Sequence, residues 1–189
     1  MVDLRILRKQ FIEPHLKIGG TAVDYTMGNG NDTLYLSQAV GENGRVYAFD
    51  IQDTALVNTR KLLEDNNCYE NYTLIRDSHS NVRQYVNEPV CAGIFNLGYL
   101  PGGGNKALTT LRDTTMKAVA FAVELMSDDG IVFISVYPGH DEGKLEGELI
   151  ESAYADLDRR IYCVSCFKII NSPTSPYFII IEKFWKENK

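Results

Sequence analysis

Val23-Asp24-Tyr25-Thr26-Met27-Gly28-Asn29-Gly30-Asn31-Asp32-Thr33 is the stretch on which the fold turns. It links a β-favouring segment, Thr21 to Thr26, to a segment from Asp32 to Val40 that reads as a helix, with Asn31 or Asp32 available to cap it. Gly28 and Gly30 let the backbone turn sharply and approach a ligand closely. The helix start presents N–H groups without intrahelical partners. A lone G-x-G is weak evidence, but a strand before it and a helix after it raise its value. A dinucleotide fingerprint would place a third glycine where Thr33 stands. Asp32 would also be a poor neighbour for a pyrophosphate, although helix starts tolerate carboxylates. Asp24, at the strand's end, is placed to help hold a ligand amino group. The loop thus suits a ligand carrying an ammonium and a carboxylate better than one carrying phosphates.

Strand-like and helix-like stretches alternate outward from this loop, the mark of a parallel sheet covered by helices. Arg45 to Asp50 reads as the second strand, and Thr54 to Asn66 as a helix capped by Asp53. Tyr72 to Arg76 is the third strand, Asn81 to Tyr85 a short helix, and Val90 to Asn96 the fourth strand. The run Pro101-Gly102-Gly103-Gly104 excludes a regular element. Leu108, Leu111, Thr115, Ala118, Val119, Ala122 and Met126 then recur at helical spacing, with an end expected near Asp129-Gly130. Ile131 to Val136 is a fifth, apolar strand, and Glu142 to Leu157 a helix diluted by Gly143 and Gly147. Tyr162 to Ile170 and Tyr177 to Phe184 read as two strands whose short link makes an antiparallel hairpin.

The length of 189 residues suits one domain over 1–189, with residues 1–20 as an N-terminal helical extension. The apolar runs are strand-length, so no membrane span is expected. No basic segment followed by an apolar one opens the chain, and cytoplasm follows by default. Of the four cysteines, Cys163 and Cys166 form a C-x-x-C within an apparent strand, where positions three apart face opposite sides. No second pair completes a zinc site, so buried thiols and no metal are expected. The net charge of −6 argues against nonspecific nucleic-acid binding. Arg5, Arg8, Lys9 and Lys17 cluster near the N-terminus, and a solvated helix face is the plainer reading of them.

The remaining candidate residues stand at the strand ends, where open α/β sheets place ligands. Asp50 ends the second strand about 20 residues past the glycines, as a partner for ribose hydroxyls needs, and Gln52 follows it. After the third strand, Asp77 or Ser78 suits an adenine edge, while His79 reads first as a local hydrogen-bonding residue. After the fourth comes Phe95-Asn96-Leu97-Gly98-Tyr99-Leu100-Pro101. Amino-directed nucleic-acid methyltransferases often carry N/D-P-P-Y/F here, offering acceptors to a target nitrogen and an aromatic face to a base. Asn96 and Tyr99 match its ends, but Leu97 and Gly98 replace the prolines. After the fifth, Tyr137 and His140 are placed to line an acceptor pocket or to form a capped turn.

Five strands joined by helices and then a hairpin resemble the α/β, Rossmann-like fold of class I methyltransferases: a mostly parallel seven-stranded sheet with helices on both faces. Their methyl donor, S-adenosylmethionine (SAM), carries an ammonium, a carboxylate and a sulfonium but no phosphate, as the loop suggests. In this order, D-Y-T-M-G-N-G-N-D-T, F-N-L-G-Y-L-P-G-G and Y-P-G-H resemble the small bacterial family labelled putative rRNA methylase, from about Leu4 to Lys183. The resemblance implies methylation, with SAM, of the amine of 5-aminomethyl-(2-thio)uridine at the wobble position of tRNA. It implies the SAM amino-acid end at Asp24, Met27, Gly28, Asn29, Gly30, Asn31 and Asp32, and the ribose at Asp50 and Gln52. It puts the adenine at Asp77, Ser78 and His79, and the acceptor at Asn96, Tyr99, Tyr137 and His140. Many relatives carry alanine where Tyr25 stands, which touches the shape of the pocket. Alternatives left open are rRNA or a small molecule as acceptor, a SAM-binding regulatory module without turnover, and an oxidoreductase, which Thr33 and the hairpin oppose. A homodimer is also left open.

Overall fold

A computed structural model describes residues 3–98, 112–139 and 141–184, the last range without the side chain of Asp141. The strands β1 (Thr21–Asp24), β2 (Arg45–Asp50), β3 (Tyr72–Arg76), β4 (Val90–Leu97), β5 (Met126–Val136), β6 (Tyr162–Phe167) and β7 (Tyr177–Lys183) form one sheet. Their order is β3-β2-β1-β4-β5-β7-β6. The first five pair in parallel, and β7 runs antiparallel between β5 and β6. The expected α/β Rossmann-like class is therefore observed, hairpin included, with β6 at the sheet's edge. Strand order reverses between β1 and β4, and their carboxyl ends flank the crevice where such sheets receive ligands.

Alternation along the strands divides the core between the sheet's faces. Tyr25, Phe95, Val132, Ile134 and Ile179 pack with Ala118, Val119 and Ala122 of α4 (Arg112–Leu125) and Ile150 of α5 (Asp141–Tyr154). On the other face, Ala22, Ile94, Ile131, Phe133 and Phe178 meet Leu36 and Val40 of α2 (Asn31–Val40) and Ile12 of α1 (Leu4–Ile12). A further helix, α3 (Asp53–Asp65), packs Ala55 against Ala48 and Met27. Tyr25 belongs to this interior rather than to a pocket. Its ring lies parallel to Phe95 at 4.1 Å and rests over Gly93, where an added Cβ would meet Tyr25 Cε2 at 2.9 Å.

Several local expectations change. The α2 N-cap is Gly30 (φ +83°), with no side-chain cap, rather than Asn31 or Asp32. The α3 N-cap is Gln52, and Asp53 instead pairs with Arg76 at 2.9 Å. Met126 belongs to β5, because the strand begins before an irregularity: Val90 pairs with Met126 and Ala92 with Ile131, and Asp129 takes φ +62° between them. The short helix is a 3-10 segment, His79–Gln84. The thiols are free but not uniformly buried: Cys166 is exposed and Cys163 half-buried, because edge strand β6 has cover on one side only. Among the described residues, no helix is long and apolar enough to cross a membrane.

Candidate active site

The glycine loop is held from three directions. Gly28 (φ +53°) donates its N–H to Asp50 Oδ2 at 3.1 Å, tying the loop to the end of β2. The carbonyl of Gly28 accepts the Thr59 hydroxyl of α3 at 3.2 Å. Gly30 N–H closes the turn onto the Met27 carbonyl at 2.8 Å, and Met27 N–H bonds Phe49 O at 2.9 Å. A Cβ on Gly30 would stand 2.8 Å from Thr59 Cα, so only glycine satisfies both this φ and this contact. Asn29 accepts from Asn58 Nδ2 at 3.0 Å, and Asn31 is exposed at the first position of α2.

Three carboxylates surround this loop, each differently employed. Asp24 is fully buried; its oxygens accept the Thr26 N–H at 3.1 Å and the Thr33 hydroxyl at 2.7 Å. Burial, then the negative charge of Asp32, pushes the Asp24 carboxyl up to about 7. Thr33, the residue in the place of a third glycine, thus serves Asp24. Asp50 accepts from Gln52 N at 2.9 Å as well as from Gly28, and burial raises its pKa against those hydrogen bonds. Asp32 is bound from both sides: Arg8 Nη1 and Nη2 reach its two oxygens at 2.8 and 2.5 Å, and Asn96 Nδ2 donates to Oδ2 at 2.8 Å.

The N-terminal basic residues divide: Arg5 and Lys9 stay on the solvated face of α1, as expected, while Arg8 turns inward. Arg8 is largely covered in its pair with Asp32, Arg5 pairs with Asp3, Lys17 with Asp129, and Lys9 sits 5.0 Å above the Tyr35 ring. Arg8 is a site neighbour that sequence reasoning missed. Nothing local marks it, since its partner lies 24 residues away and only packing of α1 brings them together. Thr26 was missed likewise; its hydroxyl accepts the Asn96 N–H at 2.7 Å, joining the tips of β1 and β4.

Beyond β3, Asp77 accepts from Ser78 N (2.7 Å), Asn81 Nδ2 (3.0 Å) and Tyr85 OH (2.9 Å). Burial disfavours its charge, yet these donors hold its pKa below the usual range. Ser78 caps the 3-10 segment through Ser80 N. Both residues therefore hold a turn at the strand's end. His79 is buried, and burial lowers its pKa against its bond to the Tyr25 carbonyl at 3.1 Å. A carbonyl only accepts, so Nδ1 carries the proton. Among the described residues, the lone pair of Nε2 has no partner. At the end of β5, half-exposed Tyr137 stands beside Gly98 and within electrostatic reach of Arg8 and Asp32. Tyr99 and His140 lie outside the described residues.

The donor set can be tested against SAM. The strand tips offer carboxylates and backbone amides, and among the described residues the cation bonded into this cluster, Arg8, is already matched by Asp32. Such a set has hydrogen bonds for an ammonium and for ribose hydroxyls, and little to neutralise phosphates. The residues fit SAM.

Comparison with known proteins agrees. The family model described as "Putative rRNA methylase" matches residues 46–183. A "tRNA (mnm(5)s(2)U34)-methyltransferase, chloroplastic" of Arabidopsis thaliana is 35% identical, over 93% of this chain and 67% of that protein. A crystal structure of a "putative rRNA-methylase" from Clostridium thermocellum superposes with TM-score 0.92 at 40% identity, covering 97% of this chain and 99% of the other. A "putative methyltransferase" from Streptococcus mutans, crystallised in complex with SAH, gives TM-score 0.86 at 37% identity, covering 97% and 100%.

Proposed function

The chain belongs to the Putative rRNA methylase family and is a SAM-dependent methyltransferase; we propose that it methylates the primary amine of 5-aminomethyl-(2-thio)uridine at the wobble position of tRNA. One observation carries this reading beyond the relatives' names. Asn96, the partly exposed residue of an otherwise buried β4, donates its amide nitrogen to a carboxylate. Among the described residues its oxygen takes no donor, which leaves it as the group available to an incoming N–H donor, which an amine is.

SAM, when bound, supplies a methyl group activated by the positive sulfur. The chain's part is alignment. Asp50 and the Gly28 loop hold the ribose edge, with Gln52 beside it. Asp24 and Asp32 give the amino-acid end a negative surrounding, together with Met27, Asn29, Gly30 and Asn31. Asp77, Ser78 and His79 shape the adenine side. Asn96 Oδ1 accepts one N–H of the neutral acceptor amine and turns its lone pair toward the methyl carbon. A partly desolvated pocket favours that neutral form. Asn96 is no base, so the proton released on methylation passes to solvent. Tyr137 supplies an aromatic face of the kind on which splayed-out bases stack.

A small-molecule amine is the second reading. The net charge of −6 and the internal pairing of Arg8 favour it, since RNA affinity rests on cations facing phosphates. Initial rates of SAH release with tRNA bearing 5-aminomethyluridine, competed by a panel of small primary amines, separate the two. The proposal expects turnover with the tRNA and no competition at millimolar amine. Turnover with a free amine alone would replace it.

A further inference from the structure

We propose that Arg8 is a positioning residue for methyl transfer: acting through Asp32, it fixes which way the Asn96 amide faces. The inference rests on the reading of Asn96 as the group that orients the acceptor amine. An asparagine amide is nearly symmetric in shape, and its oxygen and nitrogen exchange places by rotation about one bond. Only a partner of fixed polarity selects one orientation. Asp32 Oδ2, 2.8 Å from Asn96 Nδ2, is such a partner because an ionised carboxylate accepts and cannot donate. With the amide reversed, the Asn96 oxygen would face that carboxylate and repel it.

Asp32 is itself held in place by a counter-charge. It is buried on α2's first turn and lies within electrostatic reach of Asp24, a second buried carboxyl. Arg8 supplies the counter-charge: Nη1 donates to Oδ2 at 2.8 Å, and Nη2 stands in ion-pair contact with Oδ1 at 2.5 Å. A planar guanidinium fixes a carboxylate's rotation as well as its charge, as a lysine cannot. The chain of contacts thus runs from α1, through α2, to the tip of β4. Ile12, fully buried on α1, anchors the helix that carries Arg8.

The test is a double-mutant cycle over Arg8→Ala and Asn96→Ala, with kcat and KM measured on tRNA bearing 5-aminomethyluridine. Arg8→Ala alone should lower kcat about 10- to 100-fold, the scale of a misplaced reacting group. In the Asn96→Ala background the same change should cost less than about threefold, because residues acting through one group are not additive. Equal factors in both backgrounds would overturn the inference while leaving Asn96's role intact. An Asn96→Ala enzyme with wild-type kcat would remove that role and this inference with it. Arg8→Lys, which keeps the charge and α1's packing, should fall between, and it carries the test if Arg8→Ala fails to fold. A second readout needs no substrate: the side-chain NH2 resonances of Asn96. They should show slow exchange in the wild type and move toward a free amide in Arg8→Ala. Unmoved resonances would also overturn the inference.

Discussion

Asn96 stands between buried Phe95 and Leu97 with its backbone N–H bonded to Thr26 and its side chain to Asp32. Asn96→Ala should lower kcat about 10- to 100-fold with KM for SAM little changed, the pattern of an interaction made with the reacting group; steady-state kinetics checks it. Asp24 gives a prediction in pH. Its carboxyl is raised to about 7 by burial and the Asp32 charge, against Thr33, Thr26 and Arg8. The folded chain therefore holds this proton more tightly than the unfolded chain, so the group's stabilising contribution is full below the unfolded pKa and is lost as pH rises through about 7. Urea denaturation should show this as a decline of at most about 1.4 kcal/mol per pH unit between those limits. Asp24→Asn should remove the decline. The Tyr25 hydroxyl is buried and, among the described residues, has no hydrogen-bond partner. Tyr25→Phe should therefore raise stability by about 1 kcal/mol in the same assay.

At the scale of elements, the glycine loop depends on α3 as much as on β1. Gly30→Ala would meet both an αL backbone (φ +83°) and Thr59 Cα at 2.8 Å. It should destabilise the protein by about 1–3 kcal/mol and weaken SAM binding, read by urea melts and calorimetry. Trimming Thr59 should not fully restore it, because its backbone Cα obstructs at 2.8 Å alongside the side-chain Cγ2 and Oγ1. The loop's glycines and the acidic residues ending β1 and β2 were legible in the sequence, because a strand-to-helix turn is written in adjacent residues. The caps were less so. Asp32 and Asp53 are competent caps by type, but each is drawn away by a distant arginine, Arg8 and Arg76. The start of β5 was hidden for a similar reason. Met126 fits the helical spacing of α4, and only its pairing with Val90 makes it strand.

Across the whole molecule, the mostly parallel sheet and the terminal hairpin followed from the alternation of strand-like and helix-like stretches, whereas the strand order came only from the pairing itself. The contribution of α1 did not. Ile12 closes one face of the core, and His15 bonds the Asp129 carbonyl at 2.8 Å near the start of β5. The N-terminal segment is thus built into the domain through the end of α1 and the turn after it, and Arg8 serves an internal partner. The proposed methylation is decided by incubating the pure protein with SAM and tRNA carrying 5-aminomethyluridine, digesting the tRNA and weighing its nucleosides. A gain of one methyl mass on that nucleoside alone is expected. An unchanged wobble nucleoside, with SAM binding intact, would contradict it.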